Sequence, residues 1–253
     1  MSRLALAALL GLAGIAAFAV FVTARQPAGD EPAETAFVEP ARVSPEPSAA
    51  PAVPPVPVAA DSLQSLTFTL ATTWTGTQGG PRTIEQRVTR GRERVHLVVD
   101  EGRREWFFQR NPVYRDRVSG ALIDHDAKEI REYEDADLRN MLRIRGWSDA
   151  LTMRFDIGLL DTLTHNGERR RIEGHDAQRH VAAPGTTSGV MEVWWSPELL
   201  LPLELVTRES PAITVTARVK GLSPDVDATV LEPPHRRFPT YRVLDEVDAG
   251  EHR

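Results

Sequence analysis

Apolar and polar residues alternate from Leu66 to Thr75: Leu66, Phe68, Leu70, Thr72 and Trp74 fall on one side, and Thr67, Thr69, Ala71, Thr73 and Thr75 on the other. A period of two is that of a β-strand covered on one face. The pattern repeats with Ile84 and Val88 inward in Thr83–Thr89, Val95, Leu97 and Val99 inward in Glu93–Val99, and Trp106 and Phe108 together in Arg103–Gln109. Gly76–Pro81, Gly91, Asn111-Pro112 and Gly120 read as turns, while Val113–Val118, Leu122–Asp124 and Lys128–Tyr133 continue the series. Turn signals about every 8–12 residues predict an antiparallel meander.

The period then changes. Asp135 is placed to cap a helix in which Leu138, Met141, Leu142 and Arg145 share a stripe, ending at Gly146. Ser148 is placed to cap a second, with Trp147, Leu151 and Phe155 at four-residue spacing and Leu159, Leu160 and Leu163 as an extension. Two short amphipathic helices inserted in a meander are expected to lie over one sheet face. Strands resume at Arg170–Val181, where Gly174 reads as a bulge. The stretch Gly189–Lys220 then reads as three antiparallel strands. Trp194 and Trp195 lie in the first, Leu199, Leu201, Leu203 and Leu205 share a face, Pro202 marks an edge or a bulge, and Ile213, Val215, Ala217 and Val219 oppose Thr214, Thr216, Arg218 and Lys220.

The first sixty residues follow other rules. Leu4 to Val22 is uncharged, nineteen residues long, and closer to a bilayer span of about 20 residues than to a signal-peptide core of about 7–15. Residues 1–25 are therefore read as a transmembrane anchor, or as a signal peptide cut near Val22-Thr23-Ala24, with a buried helix as the remaining option. Residues 26–60 hold nine prolines and nine alanines with Phe37 as the sole aromatic, a composition that cannot bury enough surface to order itself. This is a linker. Residues 61–245 form one domain of ordinary size, and 246–253 an acidic tail. Either reading of the first segment exports the domain, anchored at the inner membrane with its C-terminal part in the periplasm, or periplasmic after cleavage.

Composition removes several classes of function. There is no cysteine, hence no disulfide, thiolate metal site, cysteine nucleophile or lipid-modified N-terminal cysteine. The net charge is -6, which gives no electrostatic reason to bind nucleic acid. Within the domain, residues 82–118 carry ten arginines against six acids, and 119–163 six bases against ten acids. Outward strand faces laced by cross-strand pairs account for this; the other reading is a basic face that meets anionic lipid or an acidic partner. Arg169-Arg170-Arg171 belongs with it. His125 between Asp124 and Asp126, and His175-Asp176 with His180, come nearest to metal-ligand spacing, but successive strand residues face opposite ways and no paired-histidine motif occurs. Ser188 and Ser196 lack a G-x-S-x-G context. No metal, cofactor or catalytic set is expected.

The strand E-V-W-W-S-P-E at 192–198, the turn with L-P-L-E-L at 201–205, the charged strand after it and L-E-P-P at 231–234 resemble bacterial envelope domains of the LolA/LolB type. The resemblance implies an α+β, mainly β fold: a strongly curved antiparallel sheet (half-barrel) wrapped over a few short helices, with an apolar cavity between. It also implies a non-catalytic domain that binds a lipid or an acylated protein. On that reading Phe68, Trp74, Trp106, Phe108, Leu142, Trp147, Leu151, Phe155 and Trp194 are the cavity candidates, whereas the aromatic content by itself is explained by a core. The alternative is a regulatory module that docks an envelope protein by an edge strand or the basic face. The long first segment and linker depart from a soluble shuttle and favour a tethered relative.

Overall fold

The computed structural model describes residues 63–76 and 80–245. The expected anchor or signal peptide, the linker and the tail lie outside the described residues. Among the described residues no helix is long and apolar enough to cross a membrane.

The alternating segments form β1 (Leu66–Thr75), β2 (Arg82–Arg90), β3 (Arg94–Val99), β4 (Arg104–Arg110), β5 (Val118–Asp124) and β6 (Glu129–Tyr133). After the helices come β7 (Thr164–Ile172), β8 (His175–Val181), β9 (Gly189–Ser196), β10 (Leu201–Ser210), β11 (Ile213–Ser223) and β12 (Arg242–Asp245). These make one open sheet in the order β12-β6-β5-β4-β3-β2-β1-β11-β10-β9-β8-β7. The chain builds one wing outward from β1, crosses by way of the helices, and builds the other wing inward until β11 closes against β1. Every pairing is antiparallel except that of β12 with β6. This is the curved, mainly β half-barrel over short helices that the sequence led one to expect.

Register puts the expected inner residues together. Phe68 lies opposite Val88, Val88 opposite Leu97, Leu97 opposite Trp106, and on the other side Leu70 lies opposite Val219. A sheet whose strands keep one apolar side must cover it. The cover is α1 (Asp135–Leu142), α2 (Trp147–Leu151) and a 3-10 segment, Ile157–Thr162, all between β6 and β7. Leu138, Leu142, Ile144, Trp147 and Leu151 enter the same buried cluster as the sheet residues.

Several boundaries differ from the sequence reading, each for a local reason. Gly120 is not a turn but the third residue of β5. A Cβ there would meet the Leu138 methyls at 3.0 and 3.1 Å and the Phe108 ring at 3.3 Å, so glycine is what lets α1 settle onto the strand. Residues 111–117 form a loop rather than a strand, because the Asn111 side chain accepts from the backbone N–H of Val113 and Tyr114 at 2.9 and 2.8 Å. Glu134, not Asp135, caps α1, in a capping box with Asp137. The helix stops at Leu142, where Arg143 turns left-handed with φ 59°, so Arg145 lies outside it. Gly146 precedes α2 in place of Ser148, and left-handed Met153 and Arg154 (φ 53° and 66°) carry Phe155 out of that helix. Arg170–Val181 is no single bulged strand. Glu173 and Gly174 both have positive φ (49° and 84°), the requirement of a two-residue hairpin turn, and Ile172 pairs with His175 across it. Of the two readings of Pro202 the bulge holds: register shifts between Pro202 and Glu204, and β10 lies inside the sheet between β9 and β11.

A second, smaller core lies on the outer face. Phe107, Ala121, Ile123 and Ile130 are the outward residues of β4–β6, and Phe238 and Tyr241 pack on them. The segment that brings these rings includes α3 (Pro234–Arg237) and β12. It is clasped to one carboxylate, Glu105 of β4. His96 Nε2 lies at 2.8 Å from it, His125 Nε2 at 3.1 Å and the Arg237 guanidinium at 2.9 Å, while His125 Nδ1 contacts the Tyr241 hydroxyl at 2.9 Å. Burial pushes the Glu105 pKa up, but the hydrogen bond and charge of His96, then Arg237 and His125, outweigh this and hold it at about 2.

Two predictions follow from these contacts. Gly120→Val forces Leu138 and Phe108 apart and is expected to cost about 1–3 kcal/mol, measured by chemical denaturation with near-UV circular dichroism on the stacked Trp106. Glu105→Gln is expected to destabilise by about 3 kcal/mol, since Arg237 loses its buried counter-charge. Because the native pKa is depressed, wild-type stability from this group is full above the unfolded carboxyl value of about 4.5 and is lost as pH falls toward about 2. The variant should lack that acid limb, and amides of 234–245 should exchange faster in it; unchanged exchange there would mean that the clasp does not hold the segment.

A cleft at the rim of the half-barrel

The cavity candidates divide once placed in the fold. Phe68, Trp106, Phe108, Leu142, Trp147, Leu151, Phe155 and Trp194 are all in the one buried cluster, whereas Trp74 is half-buried near the end of β1. Their rings pack on one another or on neighbours. Trp106 stacks on Phe108 (centroids 5.7 Å, planes 1° apart) and leans on Tyr133 at 5.5 Å; Phe155 packs against Trp195 at 5.6 Å. Trp195 therefore meets the segment that follows α2. Trp194 lies on the opposite side of β9, with its ring under the Arg170 guanidinium (4.0 Å to the centroid) and Nε1 donating to Glu192 at 2.8 Å. The guanidinium covers one face of a ring that also packs against the main buried cluster.

Open space lies at the edge of the helical cover. A cleft of about 830 Å³ runs between α2, the start of the 3-10 segment, the 111–117 loop and Leu200. Trp147, Leu151, Ile157 and Leu200 give it apolar walls, and Arg110, Arg115, Asp116, Arg145 and Asp149 a charged rim. Among the nine candidates, Trp147 and Leu151 reach this cleft. The size is within the range of about 300–1,000 Å³ typical of small-molecule sites.

The rim is braced by ion pairs. Arg145 Nε contacts Asp149 at 3.0 Å and its Nη2 contacts Asp156 at 2.9 Å, an arrangement that raises the Arg145 pKa above its ordinary value, chiefly through the Asp149 hydrogen bond. Asp149 also accepts from the Arg145 backbone N–H at 2.8 Å, which ties the residues before α2 to the helix itself. The Trp147 backbone N–H donates to the Asp116 carbonyl at 2.8 Å, fastening α2 to the 111–117 loop.

Behind the cleft lies Arg90, the last residue of β2, with 1% of its surface exposed. It donates to the carbonyls of Leu151 at 3.0 Å, Leu200 at 3.4 Å and Leu199 at 2.5 Å. The guanidinium thus joins the end of α2 to the turn before β10, across the cleft floor. Burial lowers its pKa to about 10. Arg154, also buried, is lowered to about 10 by burial, with Asp149 opposing and Arg143 reinforcing the shift. Sequence reasoning passed over Arg90, although the alternation was its signal: it continues the inward series of Ile84 and Val88. Arg145, Ile157 and Leu200 carried no such signal, because their roles depend on where the chain leaves helical geometry.

The titratable groups converge elsewhere. His180 stacks on His165 across the β7–β8 hairpin (4.9 Å), and burial followed by His165 lowers its pKa. His175 faces Glu198 at 3.7 Å. Among the described residues no group of three or more histidine, aspartate or glutamate side chains is arranged to hold a metal ion.

No family model and no curated protein matches the sequence. Solved structures similar to the chain include PNGF-II (13% identity, TM-score 0.38, over 74% of this chain and 32% of that one). Others are a DUF1329 family protein from Desulfovibrio piger (10%, TM-score 0.34, 71% of this chain and 93% of that one) and a LolA superfamily protein from Nitrosomonas europaea (7%, TM-score 0.28, 69% and 92%). The chain spans about a third of the PNGF-II chain and nearly all of the other two.

The Arg90 geometry makes a prediction. Arg90→Met keeps apolar bulk but leaves the carbonyls of Leu151, Leu199 and Leu200 without their donor, at an expected cost of about 1–3 kcal/mol. Amides of 147–155 and 199–201 should exchange about tenfold faster by mass spectrometry while those of β3–β5 change little; uniform change across the sheet would deny Arg90 a local role.

Proposed function

We propose that the chain is a non-catalytic, membrane-tethered domain of the bacterial cell envelope that binds a hydrophobic ligand, a lipid or an acylated protein. The observation that carries this reading is the rim cleft with walls of Trp147, Leu151, Ile157 and Leu200. An exposed recess of such walls is a place where an acyl chain gains what water denies it, about 0.8 kcal/mol per buried methylene. The other candidates Phe68, Trp106, Phe108, Leu142 and Phe155 belong to the same buried apolar cluster as Trp147 and Leu151. The uncharged stretch 4–22 and the proline-rich linker support tethering at the inner membrane with the domain in the periplasm, or release there after cleavage.

A second reading, a module that docks an envelope protein, is favoured by the β7 edge. β7 has a neighbour on one side only and its residues 164–171 are exposed. An acidic extended segment added there would meet Arg169 and Arg171.

The full chain, extracted from a bacterial envelope fraction in mild detergent, is expected to release lipid or acylated peptide on native mass spectrometry. Ile157→Arg and Leu200→Glu place charge on half-buried wall positions and should abolish that co-purification with little change in melting temperature. A clean apo mass for the unaltered chain, with a protein captured through the β7 edge, would shift the assignment to the docking module.

A further inference from the structure

Val113 and Tyr114 are adjacent at the tip of the 111–117 loop, with 75% and 57% of their surfaces exposed. They are the two most exposed large apolar side chains among the described residues. From their placement we infer that this tip is a bilayer-contact site, at which the domain rests on the membrane that tethers it. The inference rests on the tethered, lipid-binding role proposed above, and it adds which face the domain turns to the lipid.

Two neighbouring apolar side chains in water contribute nothing to the core, yet the loop holds them outward. The Asn111 side chain accepts from both of their backbone N–H groups, at 2.9 and 2.8 Å. The Tyr114 carbonyl accepts from the Arg117 N–H at 2.8 Å, and the Asn111 N–H donates to the Arg117 carbonyl at 3.0 Å. A tip closed in this way is preorganised, so that little chain entropy remains to be lost on contact. The Arg117 guanidinium lies over the Tyr114 ring, 4.8 Å from its centroid. Such a pair suits the boundary of a bilayer, where a tyrosine ring sits at headgroup level and an arginine stem lies along it.

Two observations favour a bilayer over a protein partner. The first is where the tether enters. Residues 1–62 include the uncharged stretch 4–22, and the described domain begins at 63. Ser65 lines a recess at the β2–β3 turn together with Arg110, Pro112 and Arg115, so the chain enters the domain beside the tip. The second is charge. Arg110, Arg115 and Arg117 are set against Asp116 and Glu93, and Glu93 pairs with Arg115 at 2.9 Å and Arg110 at 3.8 Å, which leaves the loop close to neutral. A partner chosen by charge finds little to read there, whereas apolar side chains enter lipid without a counter-charge. Arg110, Arg115 and Asp116 also border the apolar cleft, so a tip in the lipid sets the mouth of that cleft at the membrane surface.

The chain has no cysteine, so Val113→Cys is a unique site for a nitroxide spin label. The full chain is reconstituted in neutral phosphatidylcholine vesicles, and the access of oxygen and of a water-soluble nickel complex to the label is compared. The label at 113 is expected in the headgroup–acyl boundary, at a depth of about 5–10 Å, with oxygen favoured over nickel. A label at Asp126→Cys, exposed in the turn at the other end of β5, is expected in water. Adding Tyr114→Asp to the chain labelled at 113 should return that label to water with the melting temperature unchanged. A label at 113 that stays in water on vesicles that retain the chain overturns the inference, while lipid co-purification sensitive to Ile157→Arg still stands for the cleft. A label shielded from both reagents lies in a contact between copies and equally overturns it. A chain that does not float with the vesicles overturns the tether and this inference together.

Discussion

The structure depends on one requirement, that a sheet of twelve strands keep a continuous apolar side out of water with few helical residues to cover it. A flat sheet of that width would need a full layer of helices. Curving solves the problem by letting the two wings share α1, α2 and a 3-10 turn as common cover. The crossing of the chain between β6 and β7 puts that cover at mid-sequence, and the closure of β11 on β1 joins the wings at the centre. Gly120 is where the fit is tightest, because the cover touches the sheet backbone there.

A short cover leaves edges, and the edges are where polar chemistry gathers. Backbone carbonyls at the end of α2 and at 199–200 have no helical or strand partner in the apolar layer, and Arg90 supplies the donor. A hydroxyl would satisfy one carbonyl and an amide two; the guanidinium reaches three and ties two elements together. The outer face meets a related problem with Glu105, which gathers His96, His125 and Arg237 and thereby holds Phe238 and Tyr241 over the outward residues of β4–β6. Both arrangements put a charge where water is scarce, and both tie together segments far apart in sequence.

These two contacts also mark how far the sequence could be read. Period two located most of the strands and the inward faces of β1–β4, because alternation is a local consequence of one covered face, but it ran β7 and β8 together and missed β12. Gly120 and Gly174 were misassigned, because a glycine needed for close approach and one needed for positive φ look alike in sequence. The ends of α1 and α2 were misplaced for a similar reason: the left-handed turns at Arg143, Met153 and Arg154 use residues with no glycine-like signature. Trp194 was grouped with the inner aromatics. Its neighbour Trp195 has the same composition signal, and only pairing with β8 and β10 decides which of two adjacent tryptophans faces the helices. The cleft walls were legible in part, through Trp147 and Leu151, while Leu200 and Ile157 join them by the path of the chain.

The uneven charge along the sequence takes on meaning at the rim. The acid-rich stretch 119–163 sends Asp149 and Asp156 to Arg145, and so neutralises much of its own share of the cleft. The base-rich stretch 82–118 brings Asp116 to the same rim, while Glu105 is buried on the outer face with the C-terminal segment and Asp100 pairs with Arg104 at the far end of β4. Glu93 is left to serve the arginines that border both recesses. Topology therefore decides which acids reach the cleft: each stretch sends its acids where its own elements need fastening, and both stretches contribute charged residues to the rim of one apolar recess.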